Sequence, residues 1–294
     1  MSAFPVQKGP HKALPDAVIP RALRELILRT NHIDCAYRSD LPSWLYFNDC
    51  DDVIDVSALS TVQRLSFTNC PGITDVSALA TVRQLYFKNC PGVTDVSALG
   101  TVRVLSLYNF PDLIDVSALC TVRELYLHAC PGLVDVSALG TVQKLSFEIC
   151  PSIVDVSALG TVQELSFNMC YGITDVNALG AVRKLRFNNI DSITDVSALS
   201  TVQELWFYNC LGIADVSALG TVQKLRFDYC NITDVSALGT VRELSFCNCP
   251  RITDVSALSD VPDLLIQWCR GVTDFSAVPH ARTYRNATEE ARKK

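Results

Sequence analysis

The pentapeptide Asp-Val-Ser-Ala-Leu begins at Asp55, Asp75, Asp95, Asp115, Asp135, Asp155, Asp195, Asp215, Asp234 and Asp254. An Asp-Val-Asn-Ala-Leu variant opens at Asp175, and a decayed copy, Asp-Phe-Ser-Ala-Val, opens at Asp274. The step is twenty residues, except from Asp215 to Asp234, where one residue after Cys230 is missing. A fixed period this short constrains the fold severely. One unit cannot bury its own apolar face, so neighbouring units must stack, and stability becomes a sum of unit and interface contributions. The repetition therefore overrides the two-domain prior that 294 residues would otherwise suggest.

Within one unit the apolar positions are Val56, Leu59, Val62, Leu65, Phe67, Cys70 and Ile73. The Leu65-Ser66-Phe67 alternation has period two, which predicts a short strand with one buried face. Pro71-Gly72 stops it, because proline cannot donate to a ladder and glycine accepts turn geometry. Asp75 then opens the return path, placed to accept hydrogen bonds from N–H groups two or three residues on. Twenty residues leave the opposite side room for extended or single-turn 3-10 segments, not for full helices.

Written as a pattern, Val62-x-x-Leu65-x-Phe67-x-x-Cys70-x-x-Ile73 resembles the leucine-rich repeat, L-x-x-L-x-L-x-x-N/C-x-L. Its ending looks like the cysteine-bearing variety. The short ITDVSAL connection is similar to internalin-type repeats and to long arrays in protists and large DNA viruses. The resemblance covers roughly residues 23–278. It implies a horseshoe-like solenoid, with a continuous parallel sheet of about thirteen short strands on the concave side and extended or 3-10 segments on the convex side. Residues 23–31 and 44–50 fit the strand template, separated by an irregular connection, CAYRSDLPS. Strand centres are expected near 27 and 46, then every twenty residues from 66 to 226, and at 245 and 265. The boundaries that follow are an N-terminal extension at 1–19, degenerate repeats or a cap at 20–54, tandem repeats at 55–273, and a degenerate cap with a charged tail at 274–294. Residues 1–15 and the ending NATEEARKK are expected to be poorly ordered.

Cysteine is the most conspicuous excess. Ten of thirteen cysteines, Cys50, Cys70, Cys90, Cys130, Cys150, Cys170, Cys210, Cys230, Cys249 and Cys269, share one column with Phe110 and Ile190. A metal or disulfide role would not accept Phe110 and Ile190, whereas a buried apolar slot does. Free buried thiols are expected, in a reducing compartment. Cys247 should point the other way, onto the open face, and with Cys35 and Cys120 is the candidate labile thiol.

Chemistry is hard to find. His11, His32, His128 and His280 are scattered without metal-ligand spacing. Ser and Asp recur equally in every Asp-Val-Ser-Ala-Leu, which suits backbone capping better than one activated nucleophile. His128 stands beside Glu124 and Glu148 on the concave face, a grouping more readily read as a solvated polar surface. No phosphate loop, paired Cys-x-x-Cys or His-Glu-x-x-His occurs, so no enzyme, cofactor or metal is expected. The net charge of −6, from 25 Lys plus Arg against 31 Asp plus Glu, gives no footprint for nucleic acid or an anionic membrane. No apolar stretch approaches roughly 18 residues, so membrane insertion is not expected. The N-terminus lacks a secretory pattern. A cytoplasmic monomer is the expectation, an exported recognition or adhesion protein the alternative. The sequons at Asn231 and Asn286 matter only in the second case, and Leu14-Pro15-Asp16 is a faint likeness to an F-box start.

Function then falls to positions that differ between repeats. Glu124, Lys144, Glu164, Lys184, Glu204, Lys224 and Glu243 alternate in sign along one column, which favours correct register and cancels any net field. In the next column Arg186, Trp206 and Arg226 lie on three successive strands, so Trp206 is expected between two guanidinium groups, with Tyr208 two residues along. These four are the expected hot spot for a protein partner, being of the types that dominate interface energies. Tyr86, Lys88, Tyr108 and Tyr126 form a second candidate cluster.

Overall fold

A computed structural model of the chain describes residues 33–38 and 41–284. Two compact units divide at Cys130 and Pro131. The first carries strands β1 (Ile33–Arg38), β2 (Leu41–Asn48), β3 (Arg64–Thr68), β4 (Gln84–Lys88), β5 (Val104–Tyr108) and β6 (Glu124–His128). The second carries β7 (Lys144–Glu148), β8 (Glu164–Asn168), β9 (Lys184–Asn188), β10 (Glu204–Tyr208), β11 (Lys224–Asp228), β12 (Glu243–Cys247), β13 (Asp263–Gln267) and β14 (Arg282–Tyr284). From β2 to β6, and from β7 to β14, successive strands pair in parallel with like repeat positions opposite each other, as in Leu65↔Leu85 and Leu205↔Leu225. Each return path between β2 and β13 that lies within a unit holds a 3-10 turn of three to five residues, such as Ser57–Leu59 and Ser157–Thr161. The expected strand centres from 46 to 265 all fall inside strands. The strand expected at 23–31, the F-box-like start, Asn286, and His11 and His32 lie outside the described residues.

One correction concerns CAYRSDLPS. Its described residues, 35–38 and 41–43, lie in strands and not in an irregular connection. β1 runs antiparallel to β2, with a register break between Ala36 and Tyr37. A repeat array leaves the first strand with a row of unpaired N–H and C=O groups, and an antiparallel neighbour satisfies them. β14, which pairs with β13, was likewise not foreseen.

The core is built of identical side chains stacked on themselves. Phe147, Phe167, Phe187, Phe207, Phe227 and Phe246 form successive offset stacks with ring centres 5.4–5.9 Å apart. Phe47, Phe67 and Phe87 do the same in the first unit at 4.9 and 5.1 Å. There the phenylalanine column lapses to Leu107 and Leu127. Phe110, out of the cysteine column, supplies a ring edge to Phe87 at 6.5 Å, so the volume lost at Leu107 returns from the neighbouring column. The column cysteines are themselves buried. The Cys170 thiol donates to the carbonyls of Asn168 at 3.5 Å and Phe147 at 3.7 Å, which ties one repeat to the next.

Each strand from β2 to β13 exits through the same corner. Twelve consecutive corner residues, from Asp49 and Asn69 to Asn248 and Trp268, adopt φ between 50° and 62°, and none is glycine. Asparagine is the side chain that tolerates this left-handed region best, and it fills half of the positions. Its amide also links repeats: Asn89 Nδ2 donates to Asn69 Oδ1 at 2.8 Å, and Asn209 Nδ2 to Asn189 Oδ1 at 2.9 Å. Beyond the corner, the Asp of each unit accepts the N–H two residues on, as Asp155 Oδ1 does from Ser157 at 2.8 Å, and the same bond recurs in all twelve copies. Asp is thus the fastener of the turn, the backbone-capping role that its equal repetition suggests.

Candidate recognition surface

In each strand the residues flanking the two buried positions project from the open face of the sheet. Along one edge of the second unit the alternating column forms ion pairs: Lys144 to Glu164 at 3.9 Å, Lys184 to Glu164 at 3.8 Å and to Glu204 at 3.3 Å, Lys224 to Glu243 at 2.9 Å. All are partly solvated, so each contributes little stability and together they hold register.

Beside this neutral ladder stands the expected hot spot. Trp206 pairs in register with Arg186 on one side and Arg226 on the other. The Arg186 guanidinium lies 3.9 Å from the centre of the indole, a close cation–π contact. Arg226 departs from the expectation of a symmetric sandwich. Its Nε and Nη2 both reach Asp228 Oδ2, at 2.8 Å each, so the side chain leans along its own strand toward the carboxylate. Asp228 is only 7% exposed. Burial pushes its carboxyl above the usual range, with Arg226 opposing the shift. Tyr208, opposite Asp228 on β10, is 41% exposed and meets the corner residue Tyr229 at 5.4 Å between ring centres. Arg186, Trp206, Tyr208 and Arg226 are therefore neighbours, and the structure adds Asp228 and Tyr229 to them. Both were missed. Tyr229 occupies a corner column otherwise rich in asparagine, and a bulky side chain there has nowhere to go but outward.

The second expected cluster is more self-contained. Lys88 Nζ stands 4.9 Å from the centre of the Tyr108 ring, and Tyr108 stacks on His128 at 3.7 Å. Tyr126 donates to Glu124 at 3.1 Å. Tyr86 is half-buried, and burial raises its hydroxyl pKa. His128 thus packs as one layer of an aromatic stack. Among the described residues no group of three or more His, Cys, Asp or Glu is placed to hold a metal ion.

No known protein family matches the sequence, and no curated protein does. Solved structures do. An internalin, InlF of Listeria monocytogenes, superposes with a TM-score of 0.60 at 19% identity, over 83% of this chain and 87% of that one. The functional domain of InlJ from the same organism, described as including a cysteine ladder, gives 0.51 at 19% identity, over 83% of this chain and 63% of that one. The fold is that of a leucine-rich repeat protein. At such identities the likeness extends to the fold alone.

The leucine-rich repeat register explains the remaining thiols. Twelve cysteines are described, and no disulfide joins any two of them. Burial pushes the thiols of Cys50, Cys170 and Cys230 up to about 12, and that of Cys210 to about 11. Cys247 corrects the sequence reading. It does project from the open face, opposite Asp228, yet it is only 6% exposed, and burial together with the Asp228 charge raises its pKa. A thiol so placed is not labile. Cys120 keeps partial exposure at the end of its 3-10 turn, as expected. The side chain of Cys35 lies outside the described residues. No helix among the described residues is long and apolar enough to cross a membrane.

Proposed function

We propose that the chain is a non-enzymatic protein-interaction module, an adaptor or scaffold of the cytoplasm that holds a protein partner on the open face of its strands. The observation that carries this reading is the cluster of half-buried Trp206 with exposed Tyr208, Arg186 and Arg226, on a face that in the second unit is mostly serine, asparagine and paired charge. Large aromatic and guanidinium side chains grouped on a rigid sheet are what interface hot spots consist of. Buried free thiols suit a reducing compartment. The test is site-specific photo-cross-linking. A benzophenone side chain at position 208 should trap a discrete protein in extracts of the source cells, and one at Ser217, on a 3-10 turn, should not. Equal trapping at both positions, or at neither, would sink the reading.

A second reading, an exported recognition or adhesion protein, is favoured by the Asn231-Ile232-Thr233 sequon, whose asparagine is partly exposed between β11 and the next 3-10 turn. The intact mass of protein purified from its source decides between them, since a glycan adds mass at Asn231 and a cytoplasmic protein carries none.

A further inference from the structure

Arg186 has no ion-pair partner among the described residues; its contact is the indole of Trp206. Lys184 and Lys224, by contrast, are matched by Glu164, Glu204 and Glu243. The remaining charges here are Arg186, Arg226 and Asp228, which sum to 2 − 1 = +1 on a chain whose net charge is −6. This is a positive spot on an acidic protein. Both guanidinium groups are also held in place: Arg186 packs over an aromatic ring at 3.9 Å, and Arg226 is gripped through two nitrogens by one carboxylate oxygen. Both side chains nonetheless face solvent. A planar fork held in one orientation loses little freedom when it binds a carboxylate.

Asp228 makes sense in the same terms. A carboxylate on the open face of a sheet would ordinarily be solvated, and burying it is unfavourable unless it is paired. Its Oδ2 goes wholly to Arg226, while its Oδ1 is sealed from solvent without a hydrogen-bond partner among the described residues. Asp228 therefore offers a ligand nothing directly. It acts on Arg226, as a positioning residue.

We propose that the partner presents an extended acidic segment to this surface, its carboxylates received by Arg186 and Arg226 on either side of Trp206. The proposal rests on the open-face reading above and gives its partner a chemistry. Arg186 and Arg226 stand two strands apart, about 9.6 Å between Cα atoms. That spacing is wide for one carboxylate and suited to two from an extended chain. Tyr208 and Tyr229 provide a flanking aromatic wedge for the apolar part of such a segment.

The experiment is fluorescence anisotropy with labelled peptides of equal length that alternate glycine with glutamate, glutamine or lysine. The glutamate peptide should bind saturably, weaken with added salt, and outcompete the other two. Arg186→Gln and Arg226→Gln should each weaken it about tenfold, about 1.4 kcal/mol. Asp228→Asn separates positioning from bulk charge. Removing a negative charge would tighten binding if only net field mattered, whereas loss of the Arg226 grip weakens it. Arg226→Lys, which keeps the charge without the fork, should weaken binding as well and covers the case in which Asp228→Asn does not fold. Preference for the lysine or glutamine peptide, no binding of any peptide, indifference to Arg186→Gln, or tighter binding by Asp228→Asn would each overturn the proposal. A protein trapped at position 208 regardless of Arg186→Gln and Arg226→Gln would refute the acidic segment and leave the open-face reading standing.

Discussion

Arg186 covers one face of Trp206 at 3.9 Å, so the indole is at once packed and available. The two roles separate on substitution. Trp206→Ala should lower stability by about 0.5–1 kcal/mol for the lost cation–π contact, together with a modest packing term, while abolishing trapping of the partner at position 208. Thermal melts and cross-linking on the same preparations check this. Retained trapping with lowered stability would assign Trp206 to the scaffold and shift attention to Tyr86, Tyr108 and Tyr126.

Ile149 is a β-branched residue at φ 54° and is 40% exposed. Left-handed backbone is unfavourable for such a side chain by about 1–2 kcal/mol, and Ile149 is only partly covered in return. Ile149→Asn should stabilise the protein by about 1 kcal/mol, read as a higher urea midpoint with unchanged slope. The opposite sign would mean that the exposed isoleucine contributes a contact worth more than its strain.

The cysteine column predicts a simple reactivity pattern. In native protein, among the described cysteines, Cys120 should react with an aromatic disulfide reagent fastest, and Cys247 should wait for unfolding along with the column thiols. Cys150→Ala should cost about 1 kcal/mol or somewhat more through the cavity it leaves, with no change in metal content. Stoichiometric zinc in the wild-type protein would overturn the packing role.

Acid sensitivity should come from the turn aspartates. The Ser157 hydroxyl and N–H hold the Asp155 carboxyl below its usual 3.8, and Asp75, Asp95, Asp195 and Asp215 are lowered by their own Ser N–H and hydroxyl groups. A folded-state pKa below the unfolded one means stability that is present above the ordinary carboxylate range and lost as pH falls through the folded value. Urea midpoints should therefore drop between about pH 4 and the lowered values. Asp155→Asn keeps the acceptor but not the titration, and each such substitution should flatten that drop. An unchanged acid profile in a triple variant would exclude this origin.

Much of the fold was legible because each unit states it twice, once as period-two alternation and again as a stop signal. Leu165-Ser166-Phe167 could only be a half-buried strand, and Asp155 could only fasten the turn that follows it. β1 was not legible, since its pairing answers the hydrogen-bonding needs of an edge and no residue pattern announces it. At the site, alternation placed Arg186, Trp206, Tyr208 and Arg226 on one face, and they are there. It also placed Asp228 and Cys247 there, but alternation reports direction and not burial. Asp228 disappears from solvent beside Tyr208 and Arg226, which period-two reasoning does not see. The recurrent asparagine at 69, 89, 109, 189, 209 and 248 was the available clue to the left-handed corner, and hence to Tyr229.

The nineteen-residue unit has a practical reach. Between Cys230 and Asp234 the chain is one residue short, yet Ile232 is fully buried, Lys224 still faces Glu243, and Asp234 still accepts the Ser236 N–H at 2.8 Å. Length is therefore monitored at the strand and at the aspartate, and hardly at all in between. In the full-length units that stretch is packed closely, with Gly92, Gly172 and Gly212 set against backbone oxygens of the preceding repeat. The bridge after Cys230 is thus a link that can be taken out of the strap while the links on either side stay fastened.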